Sequence, residues 1–148
     1  HLWKVKIDAA YACKSYETRE PDSSVDLVFS FSAAHHFLAH RRTLREIARI
    51  LKPGARAYYF FEPASPKLCY PVAYRHMNSK RPTVPEDVLI TSKIRELAAE
   101  CNLGFEVRYD PSIKKKGPME LLYFFTLGRL PFLQSVLPCS AHFIFTKR

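Results

Sequence analysis

The chain has 148 residues, with 23 Lys and Arg against 14 Asp and Glu, a formal charge of +9. At 47% hydrophobic and 14% aromatic it is too apolar for a disordered tail, and with four glycines and no periodic repeat it is neither collagen-like nor low-complexity. The length suits a single domain that buries its own core.

Residues 2–7 (LWKVKI) alternate large apolar side chains with lysine, which predicts a short strand with one wet face, closed by Asp8-Ala9-Ala10. A polar stretch ends in the turn cluster Pro21-Asp22-Ser23-Ser24. Residues 25–31 (VDLVFSF) read as a buried strand of the kind found in parallel sheets. A small-residue loop then carries His35, His36 and His40. Over 43–52, Leu44, Ile47, Ala48 and Leu51 fall on one face of a helix. Thr43 and Glu46 have capping-box spacing, and Pro53-Gly54 is expected to stop that helix.

Residues 55–61 (ARAYYFF) predict the next strand, parallel to 25–31 and linked to it by a right-handed crossover. Glu62-Pro63 follows and either touches a substrate or turns the chain. An insertion at about 65–85 is helical around 72–77, and 91–102 predicts a second amphipathic helix. Strands are expected at 105–109 and 141–146, with room for an antiparallel pairing. Between them lies a second insertion at about 114–138. Its apolar part, 119–137, is interrupted by Glu120, Arg129 and Pro131, so no transmembrane span is expected. Strands alternating with helices make this an α/β domain, one unit over 1–148.

Cys13, Cys69, Cys101 and Cys139 are widely spaced and form no CxxC pair, which predicts reduced thiols, a cytoplasmic setting and no metal site. Residues 1–12 lack the order of a secretory signal, and the chain opens on His, which reads as a fragment of a longer product. The basic residues Arg41-Arg42, Arg75, Lys80-Arg81, Lys114 to Lys116 and Lys147-Arg148 are dispersed, with no nucleic-acid reader motif. They read as a solvated surface, so no specific nucleic acid is expected; a basic nucleic-acid-binding module is the alternative.

One passage is specific. Asp26-Leu27-Val28-Phe29-Ser30-Phe31-Ser32-Ala33-Ala34-His35-His36-Phe37 precedes Leu44-Arg45-Glu46-Ile47-Ala48-Arg49-Ile50-Leu51-Lys52-Pro53-Gly54. This resembles the second half of the class I S-adenosylmethionine-dependent methyltransferases, most closely over 25–61, less closely over 2–10 and loosely from 90 onward. The family's glycine-rich loop and the acidic residue that holds the cofactor ribose have no counterpart here. The resemblance therefore implies an incomplete Rossmann-like methyltransferase sheet with helices on its faces, the carboxyl-terminal portion of such a domain. It implies S-adenosylmethionine as cofactor and a small or lipophilic methyl acceptor. Asp8 would accept from the adenine amino group with Ala9 beside the base, and Ser30, Phe31 and Ser32 would face the methionine part.

Histidine suits proton removal near neutral pH, which makes His35 and His36 candidate catalytic bases. Adjacent residues in a helical turn point apart, so only one of the two is expected to face the site. Strand 25–31 is expected to have an open edge that invites an oligomer or an amino-terminal half. A noncatalytic remnant acting as a binding module is the competing reading, and the chain alone is expected to bind cofactor poorly.

Overall fold

The computed structural model describes residues 7–79, 86–112 and 117–148. The strand expected at 2–7 lies outside them except for Ile7, which is irregular and exposed. The elements in chain order are β1 (Val25–Phe31), α1 (His40–Ile50), β2 (Leu51–Ser65), α2 (Tyr70–Asn78), β3 (Leu89–Ile90), α3 (Thr91–Glu100), β4 (Leu103–Tyr109), α4 (Pro118–Arg129) and β5 (Cys139–Lys147). The sheet runs β1-β2-β5-β4, with β3 beside the end of β2. β1 and β2 are parallel, with Val28 opposite Ala57 and Phe31 opposite Phe60. β5 is antiparallel to both β2 and β4. This is the mixed α/β sheet that the alternation of strands and helices predicts.

One face of the sheet is the core. Tyr59, Phe143 and Phe145 are fully buried and belong to one cluster with Leu44 and Ile47 of α1 and with Ile94, Leu97 and Ala98 of α3. The Tyr59 ring meets Phe145 edge-on at 5.0 Å and Phe37 at 5.9 Å. Each such side chain contributes roughly 1.5–3 kcal/mol through its burial.

The opposite face departs from expectation. β1 is not a buried strand: Leu27, Phe29 and Phe31 are 54%, 68% and 63% exposed. Among the described residues β1 pairs on one side only, with β2. The apolar residues satisfy the strand geometry, but one row of them stays mostly exposed.

The capping box is not formed. α1 begins one turn earlier, at His40, so Thr43 and Glu46 lie inside it and are buried. The Thr43 hydroxyl donates back to Ala39 O (3.2 Å) and lies 2.9 Å from the Ser15 hydroxyl. Glu46 accepts from the Thr18 N–H (2.9 Å), the Thr18 hydroxyl (2.6 Å) and Arg49 (2.7 Å). Arg49 also pairs with Asp22, so three helix residues pin the irregular segment ahead of β1.

α1 also ends earlier than expected, at Ile50, and Leu51 opens β2 in extended backbone. Pro53 and Gly54 instead sit where the register jumps: Val25 faces Leu51, but Leu27 faces Arg56. Gly54 takes φ +76°, a left-handed conformation that glycine adopts without steric cost.

The insertions are α2 and α4 with short turns beside them. α4 buries only Leu127 and exposes Met119, Leu122 and Phe125. No helix among the described residues is long and apolar enough to cross a membrane.

The two faces predict unequal costs. Leu44→Ala should lower stability by about 2–5 kcal/mol in urea unfolding, through lost burial and a cavity. Phe29→Ser should cost less than about 1 kcal/mol, because the ring is mostly in solvent already.

Glu46 predicts an acid response. Its hydrogen bonds to Arg49 and Thr18 outweigh burial and hold its carboxyl at about 2, below the ordinary 4.5. A carboxyl depressed in the folded state stabilises above its unfolded pKa and loses that contribution as pH falls through the folded one. The urea midpoint should therefore drop between about pH 4.5 and pH 2, and Glu46→Gln should flatten that part of the profile.

Candidate functional site

The carboxyl ends of the parallel strands β1 and β2 converge on one buried carboxylate. β2 carries one extra residue between Tyr59, which faces Phe143, and Glu62, which faces Ala141. This bulge breaks the alternation of the strand. It turns Glu62 onto the covered face, where Tyr59 also lies, instead of the face of Tyr58 and Phe60. Phe61 adopts φ +54° to make the bulge, and its N–H donates to His142 Nδ1 at 3.1 Å.

Glu62 is fully buried. Its Oε1 accepts from the N–H groups of Ala33 (3.0 Å) and Ala34 (2.8 Å). Its Oε2 accepts from the His35 N–H (3.1 Å) and from the His35 ring through Nδ1 (2.7 Å). Burial alone would push this carboxyl up, but the His35, Ala34 and Ala33 hydrogen bonds outweigh it and hold it below the usual range. An ionised carboxylate accepts only, so Nδ1 of His35 donates and Nε2 is the nitrogen left for other work.

The turn Ala34–His36 that Glu62 gathers begins at Ser32, whose φ is +47° and whose N–H donates to Phe60 O at 2.8 Å. Ser32, just past the end of β1, and Phe61, at the bulge of β2, thus hold non-glycine residues in the left-handed region, at a cost of order 1–3 kcal/mol each. Such strain persists where surrounding contacts over-determine it, and here Glu62 supplies those contacts.

The site residues expected from sequence fall into two groups. Ser30, Phe31, Ser32, His35 and His36 are brought to this edge. Ser30 Oγ is buried without a hydrogen bond among the described residues, whereas Phe31 is exposed and packs on Phe61 at 5.1 Å between ring centroids. Asp8 and Ala9 lie in an exposed irregular segment. The two histidines do not point apart as expected. The tight turn brings their ring centroids to 4.1 Å, with His35 buried and His36 exposed.

Glu62 neither simply turns the chain nor faces solvent; it organises the loop. Two further residues lie here, His40, named from sequence without a role, and Glu86, which the sequence did not single out. His40 is half-buried with neither ring nitrogen hydrogen-bonded among the described residues, and burial pushes its pKa down. Glu86 reaches the histidine pair from across the chain: one of its oxygens and one ring nitrogen from each of His35 and His36 all lie within 4.8 Å of one another. No local pattern marks Glu86, because its position is set by Asn78, whose amide bonds both the N–H and the C=O of residue 86 at 2.8 Å.

An open α/β sheet with a structured turn at the carboxyl ends of its parallel strands is the architecture of the Rossmann-like class, in which ligands sit at that edge. Residues 3–59 match the family described as "Methyltransferase domain". The match lies at the start of the chain, not in its carboxyl-terminal part. No curated protein matches by sequence.

Among solved structures, the chain is similar to the YcgJ protein of Bacillus subtilis (19% identity, TM-score 0.59, 90% of this chain and 68% of that one). It is similar to a Galdieria sulphuraria protein assigned as a sarcosine dimethylglycine methyltransferase (18%, 0.62, 90% and 57%). It is also similar to phosphoethanolamine N-methyltransferase 2 of Haemonchus contortus in complex with S-adenosyl-L-methionine (16%, 0.55, 91% and 36%). The chain thus spans about two thirds of the first of these and less of the others. Residues 3–59 thus match the methyltransferase-domain family model, and the chain as a whole shares the Rossmann-like fold of these methyltransferase structures.

Removing the organising carboxylate should be costly. Glu62→Ala strands three backbone donors and one ring donor inside the protein. The expected loss is roughly 3–5 kcal/mol, the scale for breaking a buried pair by removing one partner. Urea unfolding checks it, and a loss below about 1 kcal/mol would deny Glu62 this role.

Proposed function

We propose that this chain serves S-adenosylmethionine-dependent methyl transfer to a small or lipophilic acceptor, with the turn Ala34–His36 on the acceptor side. The observation that carries the reading is the Glu62-held His35 at the carboxyl end of β1. The family match over residues 3–59 and a structural neighbour in complex with S-adenosyl-L-methionine support the cofactor.

The residues present fit that cofactor in part. The Ser30 hydroxyl, without a hydrogen bond among the described residues, and the turned backbone at Ser32 offer polar groups at the strand end, suited to the methionine portion. Asp8 and Ala9 are assigned to the adenine. The four glycines of the chain are isolated from one another, so no glycine-rich turn cradles the carboxypropyl end within these residues.

When bound, the sulfonium of the cofactor supplies an activated methyl group. The chain's own part is to position the acceptor and take its proton. Glu62 keeps the proton of His35 on Nδ1, which leaves the Nε2 lone pair to accept one from the acceptor. His36, exposed beside it, is the second candidate base. The Phe31 and Phe61 rings near this edge suit a lipophilic acceptor.

A noncatalytic binding module is the second reading, and the uncovered row Leu27, Phe29 and Phe31 favours it. The basic surface favours neither. Arg41 pairs with Glu100, Lys52 with Asp26 and Arg108 with Glu106, while the Arg42 guanidinium lies 3.9 Å from the centre of the Tyr16 ring. Sequence-specific nucleic-acid binding is accordingly not part of the proposal. Four free cysteines fit a reducing, cytoplasmic setting.

Calorimetric titration with S-adenosylmethionine separates the readings. Saturable binding weaker than micromolar is expected, because the carboxypropyl end lacks its cradle. Absence of any saturable binding would leave the binding-module reading, and micromolar affinity would show that the strand-end loop suffices without a glycine-rich turn.

A further inference from the structure

The histidine pair and Glu86 have a use that proton transfer does not exhaust. We propose that His35, His36 and Glu86 form a three-donor site for a divalent cation of the zinc class, with Glu62 orienting His35 from behind. The donors come from two separate parts of the chain and converge within 4.8 Å of one another. Two imidazoles and one carboxylate make a nitrogen-rich set, which suits zinc and its neighbours. Magnesium and calcium prefer oxygen throughout.

The second observation is the support behind the first donor. Histidines that bind metal commonly donate their other ring N–H to a carboxylate, which fixes the tautomer and raises the basicity of the coordinating nitrogen. The Glu62–His35 contact, 2.7 Å long and wholly buried, has that form. With Nδ1 so engaged, Nε2 is the atom left to coordinate. His35 is therefore fixed in place.

The other two donors lie nearer the surface: His36 is exposed and Glu86 is half-buried. Bonds to zinc are about 2.0–2.2 Å, so donors around one ion stand nearer to each other than 4.8 Å, and binding draws these two side chains inward. Asn78 holds the Glu86 backbone from both sides and keeps that carboxylate at the site. The two imidazole rings stand 4.1 Å apart between their centroids.

A cation on Nε2 occupies the lone pair that the proposed base uses. Cation binding and base action at His35 are therefore mutually exclusive, and protons compete with the metal for the site. The cation site itself does not depend on the methyl-transfer reading.

The test uses Co2+ as a spectroscopic probe of the reduced chain, without S-adenosylmethionine. One equivalent should bind, giving ligand-field bands without a thiolate-to-cobalt charge-transfer band. The absence of that band separates this site from adventitious binding at the four cysteines. His36→Ala and Glu86→Gln change surface-accessible groups and should fold; each should weaken binding by at least about tenfold. Glu62→Gln should weaken it by roughly 10–100-fold, as loss of an outer-shell partner does. His76→Ala, which removes an exposed histidine elsewhere, should leave it unchanged. No stoichiometric binding, a thiolate band, or equal affinity in the His36→Ala and Glu86→Gln chains would overturn the proposal. None of these outcomes bears on cofactor titration, so the two readings fail separately.

Discussion

A single buried carboxylate holds the two halves of the candidate site together. Glu62 belongs to β2, and the four groups it binds belong to the loop after β1. Without that anchor the turn would carry unsatisfied backbone donors into the interior, and its left-handed entry at Ser32 would have nothing to hold it. The one-residue bulge is the geometric precondition. Had β2 kept strict alternation, residue 62 would stand on the face of Tyr58 and Phe60, away from the loop. His142, reaching across from β5, satisfies the N–H that the bulge releases. The site therefore depends on a strand defect, and the defect depends on a neighbouring strand.

The same arrangement explains why His35 and His36 behave as a pair. A regular helix spreads adjacent side chains around its axis, so they would diverge. The short turn pulled in by Glu62 draws its rings together instead. One ring is clamped and buried, the other exposed. That asymmetry gives one nitrogen of defined tautomer beside an adjustable partner, which suits either proton transfer or coordination of a cation.

The sheet is equally asymmetric. α1 and α3 cover one face, and Tyr59, Phe143 and Phe145 fill the space beneath them. The other face presents Leu27, Phe29 and Phe31 along an edge strand that pairs on one side only among the described residues. A row of apolar side chains along such an edge is a surface with a strong tendency to associate. The stability of the covered face and the stickiness of the open one arise from the same apolar strand residues, distinguished only by what lies against them.

How much of this was legible in the linear chain depends on the range of the interactions. Periodicity located α1 and α3, and the β-branched and aromatic runs located β1, β2, β4 and β5, because those patterns follow from side-chain direction along a local backbone. The DLVFSFSAAHHF passage and the helix after it carried the family resemblance and drew attention to His35 and His36. The Thr43–Glu46 spacing misled, because a side chain at capping distance is recruited by whatever lies nearest. Here that was Ser15, Thr18 and Arg49, once α1 started a turn early. The exposure of β1, the role of Glu62 and the approach of Glu86 to the histidines were decided only by tertiary structure. Each depends on residues about 27 to 80 positions apart in sequence meeting in space, and local propensity holds no information about such contacts.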